Sequence, residues 1–341
     1  MDKVAVVILN WNGEAMLRQF LPAVLSRSSG DGVAIYLADN GSTDGSVSWV
    51  RQNFSSVRVI AMAENLGFAE GYNVALRSVE AEYAVLLNSD VEPCEGWLGE
   101  LTAFMDAHPE VAACQPKLLS WRDPQRFEYA GAAGGFIDRY GYPYCRGRVM
   151  GTVEEDRGQY DAPLPVLWAS GAALLVRLTD FRQVGGLDGR FFAHCEEIDL
   201  CWRLRARGRG VACIPSAVVK HVGAMTLRRE NPRKTYLNFR NNLLLLYKNL
   251  PQGDLRPVMR LRWWLDRVAA LKFFLCGQAP NARAVLQARR DYRRMRPEFE
   301  ADRRENLAKA TCTAVTGRTS GSVLWAYYVR GRRVFSQLGL T

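Results

Sequence analysis

Residues 82–93 read EYAVLLNSDVEP, a stretch in which an apolar run meets a polar end. The run at 83–87 is typical of a buried strand, because it is short, rich in β-formers and bounded by polar residues. Asn88, Ser89 and Asp90 follow it directly. Taken alone, Asp90 fits two interpretations: a turn residue that ends the strand, or a carboxylate that the strand holds in place for binding.

Outward from this strand, the first 90 residues alternate short apolar runs with helical patterns. The strand-like runs VAVVIL, VAIYLADN, VRVIAM and YAVLLNSD are separated by the helix-like EAMLRQFLPAVL, SVSWVRQNF and EGYNVALRSV. This alternation predicts βαβ units, and therefore an α/β fold with a mostly parallel sheet flanked by helices. Ligands bind beyond the carboxyl ends of such strands. Polar clusters fall at those ends, at residues 10–13, 39–44 and 88–90.

Beyond residue 94 the pattern is less regular. GWLGELTAFMDAHP is a predicted helix and AACQPKLLS a predicted strand, whereas residues 121–165 are rich in Gly, Pro and Tyr. We expect 121–165 to be a long excursion with turns. A further helix should begin near Glu196, and its Asp199 and Arg203, four residues apart, can pair on one face.

Length and composition indicate a globular protein. The chain has 341 residues, of which 48% are hydrophobic, enough for one large domain or a domain with an appendage. It has no run of eighteen uncharged apolar residues, and its N-terminus lacks a signal-peptide pattern, so we expect a cytoplasmic protein. The eight cysteines lack CxxC spacing, which favours reduced thiols over a disulfide framework or a zinc site.

The net charge of +10 is unevenly distributed. Residues 228–341 carry 24 Lys and Arg against 8 Asp and Glu, whereas residues 1–227 carry 21 against 27. We expect a domain at 1–230 and a basic, mainly helical C-terminal region at 231–341. In RPVMRLRWWLDRVAALKFFLCG, apolar residues recur every three or four positions. This helix either packs as core or lies on an anionic membrane surface, which would make the protein peripheral on the inner face of the cytoplasmic membrane.

Other acidic and histidine residues are candidates for chemistry, each with a structural alternative. Asp39, in DNGSTDGS, can bind a nucleotide base or ribose, or simply form a turn. Glu196 and Glu197 open a predicted helix. The helix dipole stabilises carboxylates there, which is a structural explanation, but one of the two could also serve as a general base. Adjacent helix positions point about 100° apart, so the two should differ in role. His221 is either structural or, as a neutral imidazole, a metal ligand beside Asp90.

Seven motifs, in this order, resemble the family 2 inverting glycosyltransferases of the GT-A fold, and among them the bacterial rhamnosyltransferase-like branch of polysaccharide assembly. They are VVILNWNG, LADNGSTDGS, ENLGFAEGYNVAL, LLNSDVEP, SGAALLVR, VGGLDGRFFAHCEEIDLCWRLRARG and KHVGAMT. The resemblance covers residues 4–226. It implies a metal-dependent hexosyltransferase that moves a sugar from a dTDP- or UDP-linked donor to a glycan or lipid-linked glycan acceptor.

The resemblance also implies roles for individual residues. Asp90 and His221 would hold Mg²⁺ or Mn²⁺, and Glu197 would be the catalytic base with Glu196 beside it. The nucleotide sugar would contact Asn10, Asn12, Asp39, Asn40, Asn65, Gly67, Asn73, Asn88, Ser89 and Asp90, and the acceptor would be bordered by Trp168, Ser170 and Gly171. Two positions depart from the family pattern, since Asn88 replaces the first Asp of the DxD motif and Glu197 stands where Asp is commoner.

Three other functions are alternatives to the one that this resemblance implies. A sugar-phosphate nucleotidyltransferase would need a Gly-rich basic loop after the first strand, and NWNGEAM lacks one. An inactive carbohydrate- or partner-binding module is suggested by Asn88 and disfavoured by the retention of Asp90, Glu197 and His221. The Arg-rich C-terminal region has no recognised nucleic-acid-binding motif, so we expect no nucleic-acid partner.

Overall fold

The computed structural model describes residues 1–223, 231–312 and 314–339. Its strands, in chain order, are β1 Asp2–Asn10, β2 Val33–Asp39, β3 Arg58–Ala61, β4 Ala81–Asn88, β5 Val91–Pro93, β6 Val111–Ser120, β7 Gly135–Ile137, β8 Pro143–Cys145, β9 Arg148–Val149, β10 Thr152–Val153, β11 Leu164–Pro165, β12 Ala173–Arg177 and β13 Gly210–His221. Its α-helices are α1 Glu14–Arg27, α2 Ser46–Asn53, α3 Gly67–Arg77, α4 Trp97–Ala107, α5 Leu178–Gln183, α6 Glu196–Ala206, α7 Pro232–Asn249, α8 Gln252–Leu275, α9 Ala279–Met295 and α10 Glu300–Ala308. Short 3₁₀ turns lie at Gly189–Phe191, Arg296–Phe299 and Phe335–Gln337, and one π-helical turn at Trp325–Val329.

A nine-stranded mixed sheet forms the centre of the fold, in the order β11-β13-β6-β12-β4-β1-β2-β3, with β5 paired to β13. Strands β3, β2, β1 and β4 are parallel, as the βαβ pattern predicts, and β12 runs antiparallel between β4 and β6. Helices flank the sheet, and hydrophobic core clusters pack on both of its faces. The predicted α/β architecture is therefore confirmed.

The excursion at 121–165 is more regular than the sequence indicates. Its strands β7 to β10 form a separate four-stranded antiparallel sheet. Each of these strands has only two or three residues, too few for an apolar alternation to be recognisable. The small sheet also contacts the C-terminal region, because the Asp138 carboxylate accepts a hydrogen bond from the Val323 amide at 3.0 Å.

The C-terminal region packs directly on the main sheet's helices. Lys248 of α7 donates to Asp199 of α6 at 2.9 Å and to Asp188 at 2.8 Å. Asp199 also accepts from Arg203 at 2.8 Å, which confirms the predicted pair on one face of that helix. A domain boundary near residue 230 stays a prediction. Residues 224–226, the end of the KHVGAMT motif, lie outside the described residues.

Within the described parts of the chain, no helix combines the length and the apolar character needed to cross a bilayer.

Candidate active site

Strand pairing brings the predicted polar clusters to one edge of the sheet. In the parallel register Asn10 lies opposite Asp39, and Leu9 lies opposite Asn88. The carboxyl ends of β1, β2 and β4 therefore meet, and the residues that follow them share the crevice where α/β sheets bind ligands.

Asn10 and Asp39 are hydrogen-bonded to each other at this edge of the sheet. Asn10 Nδ2 donates to Asp39 Oδ1 at 3.0 Å and to Ser46 Oγ at 3.0 Å. Asp39 Oδ2 accepts from the Ser42 amide at 3.1 Å, so the carboxylate also closes the turn that follows it. Asn12, exposed and in the left-handed backbone region, accepts from the Thr43 amide at 2.7 Å. Both the turn role and the binding role predicted for Asp39 fit this geometry.

The predicted nucleotide-loop residues hold neighbouring segments together. Asn40 Nδ2 donates to Asn65 Oδ1 at 3.1 Å and to the Gly67 carbonyl at 2.9 Å. Asn73 Nδ2 donates to the Leu187 carbonyl at 2.7 Å. The amide groups of Asn40 and Asn73 are thus engaged within the chain, so their contribution to a nucleotide site is to shape the loop rather than to present free donors.

Strand pairing also places Asp90 beside His221. Val91, which opens β5, lies opposite His221 at the end of β13. Asp90 Oδ1 is 3.1 Å from His221 Nε2, and Asn88 Nδ2 is 3.4 Å from the same nitrogen. Ser89 is half-buried next to them, and its Oγ would lie 3.7 Å from a Cβ built at Gly13.

A third side chain, not predicted from the sequence, completes this group. Glu128 Oε1 lies 3.6 Å from His221 Nδ1, and all three ionisable side chains are buried. Burial alone would lower the pKa of His221, but hydrogen bonding and attraction from Asp90 and Glu128 raise it to about 10. Burial tends to raise the pKa of Asp90, and the hydrogen bond from His221 lowers it below its usual value.

The donor set of Asp90 and His221 fits a divalent cation. Two ligand atoms on one octahedral ion with bonds of about 2.1 Å lie about 3 Å apart, close to the observed separation. Within the described ranges, no cluster of three or more His, Cys, Asp or Glu side chains is arranged to hold a metal. The chain would therefore supply two ligands, and ligand oxygens and water would have to supply the rest. Glu128 faces the other nitrogen of the imidazole at 3.6 Å, beyond hydrogen-bonding distance.

Glu196 and Glu197 open α6 as predicted, and the structure separates their environments. Glu196 is 4% exposed, whereas Glu197 is half-buried. Burial, followed by repulsion from Glu197, raises the pKa of Glu196 well above its usual value. Burial raises the pKa of Glu197 to about 7. Burial thus favours the protonated form of Glu196, while Glu197 can exchange a proton near neutral pH.

Of the three residues predicted to border the acceptor, the structure places Gly171 beside Glu197. A Cβ built at Gly171 would lie 3.8 Å from the Glu197 Cβ. The next residue, Ala172, accepts from the Asn88 amide at 3.0 Å, so this segment joins the Glu197 side to the Asp90 side. Trp168 and Ser170 are buried, and their side chains donate to the backbone carbonyls of Phe136 and Ala130. They support the Gly171 turn from within and present no open surface to an acceptor.

The segment before Glu196 has an unusual backbone, which a residue of α7 holds. Phe192, His194 and Cys195 all have positive φ, a conformation that costs free energy for non-glycine residues. The Nδ2 of Asn241, fully buried, lies within hydrogen-bonding distance of the carbonyls of 191, 193 and 194, at 2.9, 2.8 and 2.7 Å. Sequence analysis missed Asn241 because it lies about 50 residues downstream, in a helix whose apolar stripe was the visible signal.

We expect Asn241→Ala to destabilise the protein by about 1–3 kcal/mol, because it leaves buried carbonyls unpaired. Loosening the segment before Glu197 should also lower kcat more than it raises KM. Urea unfolding and steady-state kinetics measure the two effects. Asn238→Ala is a matched control on the same helix, since Asn238 donates to the Lys234 carbonyl of α7 itself. Equal effects of the two variants would contradict the role of Asn241.

Comparison with known proteins identifies this arrangement. Residues 5–133 match the sequence model described as glycosyl transferase family 2. Over these residues the chain is similar to this family. It is similar to an N-acetylglucosaminyl-diphospho-decaprenol L-rhamnosyltransferase of Mycobacterium tuberculosis, with 28% identity over 292 residues that cover 80% of this chain and 92% of the relative. The predicted resemblance to rhamnosyltransferase-like family 2 enzymes is confirmed, and the protein is a glycosyltransferase.

Solved structures of glycosyltransferases share the fold. The mannosyltransferase PcManGT of Pyrobaculum calidifontis, in complex with GDP-Man and Mn²⁺, superposes with a TM-score of 0.53 and 15% identity, covering 89% of this chain and 87% of that one. TarS 1-349 of S. aureus, in complex with UDP-GlcNAc, gives a TM-score of 0.54 and 15% identity, covering 90% and 89%. The chain therefore has the GT-A fold.

Proposed function

We propose that this family 2 glycosyltransferase moves a sugar from a dTDP- or UDP-linked donor to a hydroxyl of a lipid-linked glycan, in cell-surface polysaccharide synthesis. The observation that carries the proposal is the pair of chemically distinct groups at one sheet edge. Glu197, whose pKa is near neutrality, lies on one side of the Gly171 turn, and Asp90 with His221 lies on the other.

Glu197 acts as the general base. Its carboxylate takes the proton of the acceptor hydroxyl, whose oxygen forms the new bond to the anomeric carbon while the bond to the nucleoside diphosphate breaks. A single displacement of this kind inverts the anomeric configuration. Glu196 is more deeply buried, which raises its pKa well above the usual value and disfavours it as a second base.

Asp90 and His221 would hold Mg²⁺ or Mn²⁺, whose positive charge, when bound, offsets the charge of the departing diphosphate. The Mn²⁺ in the complex of the Pyrobaculum enzyme supports this assignment. A ligating imidazole is neutral, so His221 would release a proton on metal binding. Glu128 would attract the protonated ring from its other nitrogen, at 3.6 Å, and Asn10, Asp39 and the turn at 40–44 would line the nucleotide side.

The name of the mycobacterial relative supports a lipid-linked, diphosphate-bearing acceptor. The test is to incubate the protein with UDP-, dTDP- and GDP-linked sugars and a prenyl-diphosphate-linked N-acetylglucosamine, with Mn²⁺, Mg²⁺ or a chelator. We expect metal-dependent release of nucleoside diphosphate and a product with inverted configuration by NMR. Retention of configuration would contradict the mechanism, and donor binding without turnover would favour the inactive binding module.

Activity should depend on pH through Glu197. Because the base works only when deprotonated and burial raises its pKa to about 7, kcat should fall as pH drops below 7, by up to about tenfold per pH unit. Above that pH the rate should reach a plateau. Initial rates with saturating donor, from about pH 5.5 to 8.5, measure the profile. A flat profile through this range would contradict Glu197 as the base.

A further inference from the structure

Helix α8 is amphipathic, but its apolar side faces away from the rest of the protein. Its apolar stripe, which we name the α8 outer face, consists of Trp264, Val268, Leu271, Phe274 and Leu275, each between 56% and 75% exposed. The sequence pattern left two interpretations of this stripe, core or surface. The structure places it outside, so in the described chain no other element covers it.

The buried side of the same helix carries charge instead. Arg262 and Asp266 are 2% and 0% exposed. Arg262 donates to the Tyr140 carbonyl at 3.0 Å, and Asp266 is paired with both Arg262 and Arg289. Burying an ion-pair network is costly unless every partner is satisfied. A helix that buries this ion-pair network and exposes its large apolar side chains matches an apolar environment on its outer side.

The apolar surface continues beyond α8. Lys272 lies over the Tyr328 ring, with its Nζ 5.2 Å from the ring centroid, which joins the outer face to the π-helical turn Trp325–Val329. Trp325, Tyr328 and Val329 are themselves more than half exposed. On the other side, Leu271 and Phe274 share with Leu286 of α9 an apolar groove of about 410 Å³. Exposed apolar areas of this extent mark interaction sites.

Basic residues surround this surface. From residue 256 to residue 290 the sole acidic residue is Asp266, which is buried, against eight Lys and Arg. Arg260, Lys272 and Arg283 are exposed among the apolar side chains, and Arg330 and Arg333 follow the π-helical turn. An occupant must therefore be both apolar and anionic. A second copy of the chain would place like charges together, which disfavours self-association.

We propose that the α8 outer face docks on an anionic lipid surface, with its aromatic and aliphatic side chains in the headgroup region and its Arg and Lys on lipid phosphates. The helix lies along the surface and does not cross it. This docking is independent of sugar transfer. It is therefore tested by lipid binding alone, measured without donor or acceptor.

Vesicle flotation tests the proposal. The full chain should float with vesicles of equal parts phosphatidylglycerol and phosphatidylcholine, and much less with phosphatidylcholine alone or at high salt. Leu271→Glu with Phe274→Glu should weaken apparent lipid affinity by more than about tenfold. Both positions are exposed, so folding should be unaffected, which circular dichroism and thermal unfolding check. Gln52→Glu, an exposed position on α2, is the control for added negative charge.

Variants that each remove one positive charge measure the electrostatic contribution to lipid binding. Arg260→Gln and Arg283→Gln should each weaken binding to anionic vesicles by about fivefold, whereas Arg51→Gln on α2 should not. Light scattering after gel filtration reports whether copies associate through the same face. The proposal would be overturned if the wild type did not float with anionic vesicles. It would also be overturned if the wild type bound no lipid but formed a dimer that the Leu271→Glu, Phe274→Glu double variant could not form. Flotation of Glu197→Gln like the wild type is expected, because that variant alters only the active site.

Discussion

Glu197→Gln is expected to lower kcat by about 10²- to 10⁴-fold, the range that a general base contributes. The amide has the size of the carboxyl group but cannot take the acceptor proton. KM for the donor should change little, because the nucleotide side of the site is built from other residues. Steady-state release of nucleoside diphosphate, with and without acceptor, measures both constants.

The neighbouring glutamate provides the control. The raised pKa of Glu196 favours its protonated form, and an amide resembles a protonated carboxyl group, so Glu196→Gln should retain most activity. Glu197→Asp keeps a carboxylate on a shorter side chain, so its kcat should lie between those of the wild type and Glu197→Gln. A larger loss in Glu196→Gln than in Glu197→Gln would reverse the assignment of the base.

Asp90→Asn is expected to lower kcat/KM by about 10²- to 10³-fold, because it removes the carboxylate placed for the cation that offsets leaving-group charge. It should also weaken Mn²⁺ binding measured by electron paramagnetic resonance in the presence of nucleoside diphosphate. Asp31→Asn, at an exposed position before β2, is the control. Unchanged Mn²⁺ binding in Asp90→Asn would show that the cation site lies elsewhere.

Asn88 allows a converse experiment at the same site. Its amide lies 3.4 Å from His221 Nε2, so Asn88→Asp adds a second carboxylate beside the first. Mn²⁺ should then bind more tightly, since cation affinity rises with ligand charge. Weaker binding in Asn88→Asp would indicate that the natural amide serves by keeping the local charge low around the Asp90–His221 pair.

Parts of the site could be predicted because they depend on local order in the chain. Asp39 ends one buried strand and Asp90 comes shortly after another, and parallel strands end at a common edge, so their proximity follows from the strand pattern. The start of α6 at Glu196 and the Asp199–Arg203 pair likewise follow from spacing along one helix. The sequence did not separate Glu196 from Glu197 by environment, because burial depends on what packs over the helix.

Contacts distant in sequence could not be predicted. Glu128 meets His221 across more than 90 residues, and Asn241 meets the segment before Glu196 across nearly 50. Neither residue has a local pattern that marks it, since a buried Glu or Asn is recognised by its partners. The small sheet of β7 to β10 was missed for a related reason, because its strands are too short to show periodicity.

The sequence by itself determined the α/β class, the order of the main strands and helices, and the family of this glycosyltransferase, because periodicity and motif order are properties of neighbouring residues. Tertiary structure alone decided that Glu197 is the more exposed carboxylate and that Asp90, His221 and Glu128 meet. It also decided that the apolar stripe of α8 faces outward. Hydrophobic periodicity indicates that a helix has an apolar face and a polar face, and only tertiary packing decides which of them is buried.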